Sequence, residues 1–363
     1  MKPSVLMILP YFLLFLDVVH GATVIPFSSP ENSFDALGFF IDACPGADIA
    51  SYTITSEKIA SALSGNRILI EKSPVGGIPD NYLLCQLGKI NEVRLYDGPL
   101  RYMHAKYAVC GNLSLVSSEN LGDRSYPAEG RGSKGWGAII EDDATAEELS
   151  DIFEEDWSNS MPLHEECEYL EKGKINYDIS RLEIYTNQEV SFVKSPLREL
   201  LSLVDSAESR LLIQQLYIYR HFGQEDNPLL LAVMNATGRT EVKVMLDSNF
   251  YSIDPEDRQS NYHSCKFLEN ATGCIFTDKY SIIHNKGVVS DDRALVSSIN
   301  WNQNSIENNR EVGLIIEGSA SEYYARDFLK ELPMRTEERN KIPESVVFIV
   351  MALTAWFLIR KRR

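Results

Sequence analysis

Apolar positions along the chain alternate between short β-like runs and stretches with helical spacing. NRILIEK (66–72), WGAIIED (136–142), TEVKVMLDSN (240–249) and VGLIIEG (312–318) are compact apolar runs bounded by polar residues, which predicts strands. In ATAEELSDIFEEDW (144–157), Leu149, Ile152, Phe153 and Trp157 recur at helical spacing, and its acids form the solvated face. SASEYYARDFLKEL (319–332) repeats this design. Upstream, SFDALGFFIDACPGADIASYTIT (33–55) and SPLRELLSLVDSAESRLLIQQLYIY (195–219) each run from helix into strand. A second helix follows each, EKIASALSG (57–65) and NPLLLAVMNATG (227–238). Helix and strand alternate throughout, so the expected class is α/β, a sheet covered by helices in each half.

The halves correspond to one another. HAKYAVCGNLSLVSSEN (104–120) and HNKGVVSDDRALVSSIN (284–300) share His-x-Lys and Ser-Ser-x-Asn at the same spacing, and the elements on either side follow in the same order. So long a period means two fused lobes, not a solenoid. Expected lobes are residues 23–172 and 173–335, joined near 165–182.

Each motif reads as strand, turn, strand: KYAV–CGN–LSLV and KGVV–SDD–RALV. Alternation places His and Lys, two residues apart, on one face of the first strand. Ser-Ser-x-Asn would then end the second strand at the start of a helix, where free N–H groups favour anions. Two such halves facing each other supply paired imidazoles, ammonium groups, hydroxyls and carboxamides around one phosphate. That set suits phosphodiester chemistry, with one histidine as nucleophile and the other as proton donor.

These residues resemble the phospholipase D superfamily, whose signature is H-x-K-(x)4-D followed by G-S-x-N. His284, Lys286 and Asp291 match the first part, and Ser298 and Asn300 the second, with Ser297 in place of glycine and one residue fewer before it. The family's later N-x-E falls on Asn309 and Glu311. The resemblance implies two duplicated phospholipase D-like α/β/α lobes with a shared active site at their interface. It implies a covalent phosphohistidine, with Lys106, Lys286, Asn120, Asn300, Ser118 and Ser298 around the phosphate and no metal or other cofactor. Glu311 would hydrogen-bond His284 and fix its tautomer. In the first copy Gly111 stands at the aspartate position and Gly135 at that of Glu311, while His104 and Lys106 are retained. That asymmetry assigns His284 as nucleophile and His104 as acid; the wider family often uses the N-terminal histidine, which reverses the roles.

The ends of the chain narrow the setting. Residues 1–22 have a basic start, an apolar run and small residues near Gly21 and Ala22, the layout of a secretory signal peptide. Residues 336–363 hold an apolar run from Val346 to Ile359 closed by Arg360-Lys361-Arg362-Arg363, read as a linker and C-terminal transmembrane anchor with a basic cytoplasmic end. Such a tail also resembles those removed by prokaryotic sorting proteases. The expected location is the cell membrane, with the catalytic part extracytoplasmic. The net charge of −17 disfavours docking on nucleic acid. An anchor that keeps the site near head groups favours a phospholipid substrate over the two alternatives, a nuclease and an inactive binding protein on the same fold. Six cysteines outside the cytoplasm allow disulfides, with Cys265 and Cys274 the expected pair. Spacings typical of zinc or calcium sites do not occur.

Overall fold

The computed structural model describes residues 21–76, 81–163, 171–249, 252–277 and 279–332. The expected signal peptide and C-terminal anchor lie outside these, apart from Gly21 and Ala22. Among the described residues no helix is long and apolar enough to cross a membrane.

The first lobe runs β1 (Ala22–Ser29), α1 (Ser33–Ala43), β2 (Asp48–Ser51), α2 (Glu57–Ala62), β3 (Arg67–Glu71), α3 (Asn81–Gly88), β4 (Glu92–Tyr96), β5 (Tyr107–Cys110), β6 (Leu113–Ser117), β7 (Gly135–Glu141), α4 (Asp143–Ser158) and β8 (Ser160–Pro162). The second runs β9 (Tyr185–Phe192), α5 (Pro196–Asp205), β10 (Arg210–Gln215), a ribbon of β11 (His221–Phe222) and β12 (Glu225–Asp226), α6 (Pro228–Ala236), β13 (Glu241–Leu246), α7 (Asn261–Leu268), β14 (Lys286–Ser290), β15 (Arg293–Ser297), α8 (Gln303–Glu307), β16 (Gly313–Glu317) and α9 (Ser321–Leu329).

Fourteen strands form one mixed sheet in the order β13-β10-β14-β15-β16-β9-β1-β7-β6-β5-β2-β3-β4-β8. Outward from the antiparallel β9–β1 join, β16, β15, β14, β10 and β13 mirror β7, β6, β5, β2 and β3. The duplication in the sequence is therefore a two-fold repeat within a continuous sheet.

Both faces of this sheet are covered, which explains why its strands are apolar runs instead of strict alternations. Odd and even residues serve different cores. On β7, Trp136, Ala138 and Ile140 face a core shared by both lobes and covered by α4 and α9, whereas Ile139 faces the first lobe's outer core under α1 and α2. On β15, Val296 and Ala294 face the shared core and Leu295 the second lobe's outer core under α5 and α6. Across the lobe boundary the Trp136 and Tyr324 rings lie 5.1 Å apart, and Tyr324 donates to the Gly137 carbonyl at 2.9 Å.

Disulfides join Cys44 to Cys110 and Cys265 to Cys274, the second as the short loop predicts; Cys167 lies outside the described residues. Ile175 is buried in the first lobe's outer core, and β9 opens at Tyr185. The helix expected directly after each Ser-Ser-x-Asn does not form as predicted. In the first lobe turns follow Asn120, and in the second α8 starts only at Gln303, capped by Asn302. Asn302 and Asn120 are better turn and cap formers than helix interiors, because their amides compete for backbone groups.

Candidate active site

The β5–β6 and β14–β15 hairpins carry the two motifs. Their turns need a left-handed residue, Gly111 at φ 57° in one and Asp291 at φ 54° in the other. Asp291 does more than fill the turn. Its carboxylate accepts from the backbone N–H groups of Glu208 and Ser209, both at 2.8 Å, and of Arg210 at 3.0 Å, tying the turn to the start of β10. Those amides hold its carboxyl below the usual range against partial burial. Asp291 is thus a structural residue and not a catalytic one. Glycine meets the φ requirement without a carboxylate, so its presence at 111 leaves the hairpin intact. Replacing Asp291 with alanine should lower stability by about 1–3 kcal/mol through three unpaired amides, with kcat unchanged; thermal melting and turnover of the same preparation check this.

Beyond each hairpin the chain pairs with the other lobe. His104 N–H donates to the Arg310 carbonyl at 2.9 Å, and Arg310 N–H to that of Tyr102 at 2.8 Å. The equivalent pair is His284 N–H to the Lys134 carbonyl and Lys134 N–H to the Ile282 carbonyl, both 2.8 Å. Ion pairs hold these crossings. Arg310 meets Asp156 at 2.9 Å and Glu155 at 2.8 Å, and the fully buried Lys134 meets Asp327 at 2.8 Å and Glu31 at 3.0 Å. Burial opposes the Lys134 charge, but Asp327 and Glu31 outweigh it and raise its pKa. Each histidine is therefore fixed against the residue that precedes position 311 or 135 of the opposite lobe.

This crossing decides which carboxylate meets which imidazole. Nδ1 of His104 lies 2.9 Å and 3.0 Å from the two Glu311 oxygens. The expectation that Glu311 serves His284 is corrected: the glutamate reaches across the interface to the other lobe's histidine. Glu311 also accepts from Ser298 Oγ at 2.5 Å, from Asn309 Nδ2 at 3.0 Å and from Ser305 Oγ. Burial would raise its pKa, but His104, Lys106 and Ser298 hold it below the usual carboxylate value. An ionised carboxylate only accepts, so Nδ1 of His104 carries the proton and Nε2 keeps its lone pair.

His284 has a carboxylate as well, and sequence comparison overlooked it. Nδ1 lies 3.5 Å from Oε2 of Glu119, the variable residue of Ser-Ser-Glu-Asn, and has no hydrogen-bond partner among the described residues. The Ser133 hydroxyl donates to the same oxygen at 2.9 Å. Against burial, His284 and Ser125 hold Glu119 down to about 2. Register explains the relocation. Ser118 N–H donates to the Trp136 carbonyl as Ser298 N–H does to that of Val312, so Gly135 is the counterpart of Glu311. A Cβ on Gly135 would lie 2.1 Å from Oε1 and 2.6 Å from Cγ of Glu119. The Glu119 side chain fills the seat that a residue at 135 would need, and in the second lobe Ile299 stands where Glu119 does. The signal was in the sequence: a lone acid inside a motif copy whose usual acid is missing.

The remaining motif residues converge on the same place. Lys106 and Lys286 are buried, and each ammonium donates to the carbonyl of its own motif histidine. Burial lowers Lys286 to about 7 against the pull of Glu119 and Glu311, and lowers Lys106 well below its ordinary value. Burial also brings His104 down to about 4, with Glu311 opposing and Lys106 and Lys286 assisting. His284 falls through burial and Lys286, against Glu119, and feels Lys106 across the interface. The two motifs therefore share one electrostatic field. Oδ1 of Asn120 and of Asn300 are buried without a partner among the described residues. Ser118 and Ser298 accept from Trp136 N–H and Val312 N–H at 3.0 Å, which ties them to the strands, and Ser298 also donates to Glu311. Gln215, paired in register with Lys286, is fully buried, and neither of its amide atoms has a partner among the described residues. Asp247 holds the approach to His284 by accepting from Ile283 N–H at 2.8 Å. Tyr52 sets its ring edge-on to His104, 4.9 Å away.

Residues 200–332 match the profile of a family described as cardiolipin synthase, PLD-like domain. No curated protein matches the sequence. The fold is similar to that of phosphatidylserine synthase from Haemophilus influenzae Rd KW20, with TM-score 0.58 and 13% identity over 83% of this chain and 84% of that one. It is also similar to polyphosphate kinase from Porphyromonas gingivalis, with TM-score 0.51 and 10% identity over 85% of this chain and 50% of that one. The lobe that contains His284, Lys286 and Glu311 is thus a domain of the phospholipase D superfamily, within a chain that has the two-lobed α/β architecture of phosphatidylserine synthase.

Proposed function

We propose that the chain is a phosphodiesterase of phospholipase D type that hydrolyses a phospholipid or transfers its phosphatidyl group to an alcohol. The observation that carries this reading is the pair of histidines, one per lobe, each facing a buried carboxylate of the opposite lobe. A phospholipid is supported by the family description matched by the second lobe and by the apolar tail expected at residues 346–359. The net charge of −17 weighs against a polyanionic substrate.

The roles follow from the two carboxylate contacts and reverse the expected assignment. His104, held by both Glu311 oxygens, presents a neutral Nε2 that attacks phosphorus; the P–N bond forms as the bond to the leaving alcohol breaks. His284, more loosely held, carries a proton when the anionic diester is bound and delivers it to the leaving oxygen. In the second step neutral His284 takes a proton from water or an acceptor alcohol, whose oxygen displaces His104 from phosphorus. Lys106, Lys286, Asn120 and Asn300 hold the non-bridging oxygens, where charge gathers in the transition state.

The test offers a chromogenic phosphodiester, phospholipid vesicles and DNA to wild type, His104→Ala and His284→Ala. Cleavage of lipid by wild type alone is expected; equal background in all three proteins would remove the enzyme reading, and cleavage of DNA but not lipid would make it a nuclease. The pH dependence has a defined sign. A depressed histidine pKa keeps His104 neutral, hence nucleophilic, down to about 4. Lys286 loses its proton above about 7 in the free protein. kcat/KM should therefore decline below about pH 4 as His104 protonates, and on the alkaline side as His284, held below the ordinary histidine value, and then Lys286 lose their protons; a plateau extending to about pH 9 contradicts both roles.

A further inference from the structure

A cavity of about 840 Å³ opens where Arg101 meets the residues around α8, Asn302, Asn304 and Asn308. Its wall adjoins the site through two links. Asn304 lines it and donates to Oδ1 of Asn309 at 2.9 Å, and the Asn309 amide in turn donates to Glu311 at 3.0 Å. Arg101, three residues before His104, is fixed by its N–H to the Asn308 carbonyl at 2.9 Å.

Among the described residues, no carboxylate and no aliphatic side chain lines this cavity. Arg101, Arg258, His221 and His263 face it, with the rest of the wall mainly carboxamides. Among the described residues neither arginine forms an ion pair; the Arg101 guanidinium lies over the Tyr102 ring, 5.6 Å from its centroid. The nearest acid to His221, Asp226, lies 3.3 Å from it and is engaged by Arg220 at 2.5 Å. Two guanidinium groups free of carboxylate partners thus line one polar hollow in a chain of charge −17. Acyl chains gain nothing from such a lining, because their burial is driven by apolar contact. Guanidinium groups bind phosphate and carboxylate through charge-assisted, bidentate hydrogen bonds.

We propose that this cavity binds an anionic group on the headgroup alcohol of the phospholipid, the alcohol that leaves on hydrolysis or enters on transfer. The proposal rests on the phospholipase D-type reading above and specifies its substrate: a headgroup bearing a phosphate or carboxylate beside the scissile diester.

Calorimetry on the full-length protein tests it, with sn-glycerol 3-phosphate as probe and glycerol as neutral control. Glycerol 3-phosphate is expected to bind and glycerol not to. The Arg101→Ala/Arg258→Ala variant, altered only at exposed side chains, should bind at least about tenfold more weakly, and His104→Asn/His284→Asn should bind as wild type does. Unchanged affinity in the arginine variant, or no binding by wild type, overturns the proposal. Loss confined to the histidine variant also overturns it, by placing the phosphate at the catalytic centre. A single-stranded oligonucleotide that displaces the probe and depends on the same arginines would make the cavity a nucleic-acid subsite and overturn it too. Binding requires no turnover, so a failure of the cleavage assay counts against the enzyme reading and leaves this result separate.

Discussion

Glu311→Ala should lower kcat by on the order of 10²–10⁴-fold, although residue 311 lies in the lobe opposite to the histidine it serves. The carboxylate fixes the His104 tautomer with Nδ1 protonated and stabilises the cation that forms as Nε2 bonds to phosphorus. Without it the ring is free to turn, and the buried lysines oppose any positive charge on it. Stability falls as well, since Ser298, Ser305 and Asn309 all lose their acceptor at once. Each buried donor left unpaired costs about 1–3 kcal/mol. The Glu311 pKa is depressed in the folded state, so its contribution is present above the unfolded carboxylate pKa and lost as pH falls through the folded value. The melting difference between wild type and Glu311→Ala should therefore shrink below about pH 4. A variant that loses stability but keeps wild-type kcat would show that Glu311 is structural only.

Glu119 and Gly135 yield an effect of similar size and a sharper test. Glu119→Ile copies the second lobe's Ile299 and removes the only carboxylate within ion-pairing range of His284 among the described residues. Turnover should fall on the order of 10²-fold. Gly135→Glu alone should be worse, because the new Cβ collides with Glu119 and two carboxylates then compete for one buried seat. Together, Glu119→Ile and Gly135→Glu rebuild the second lobe's arrangement in the first and should recover kcat to within about tenfold of wild type. The double-mutant cycle measures this directly through kcat and melting temperature. Losses that simply add would show that Glu119 does not act in place of the missing glutamate.

Much of the fold was legible because strand and helix periods differ and because the halves repeat each other. Apolar runs on either side of a short polar turn located both hairpins, whose first strands are Tyr107–Cys110 and Lys286–Ser290, and the matched flanking elements implied two lobes. The partner of each histidine was not legible. A sequence aligns Glu311 with the motif of its own lobe, while the backbone pairing of His104 with Arg310 and of His284 with Lys134 exchanges the carboxylates across the interface. That exchange is a property of the sheet join at β1 and β9, and no local pattern encodes it. Glu119 was hidden for another reason, as it occupies a motif position where any residue is tolerated. The Asp291 carboxylate answers three backbone amides that only the fold brings to it, and only the left-handed turn is common to both copies. The polar cavity at Arg101 and Arg258 joins residues that lie far apart in the chain and carry no shared motif.

The central claim is that two lobes build one site in which His104 attacks and His284 assists. Rapid acid quenching during turnover of a labelled phosphodiester, followed by mapping of the phosphoenzyme, tests it most directly. The account predicts one phosphoryl group per chain, on His104, and its loss in Glu311→Ala. Label on His284, or on both histidines of the same chain, would contradict it.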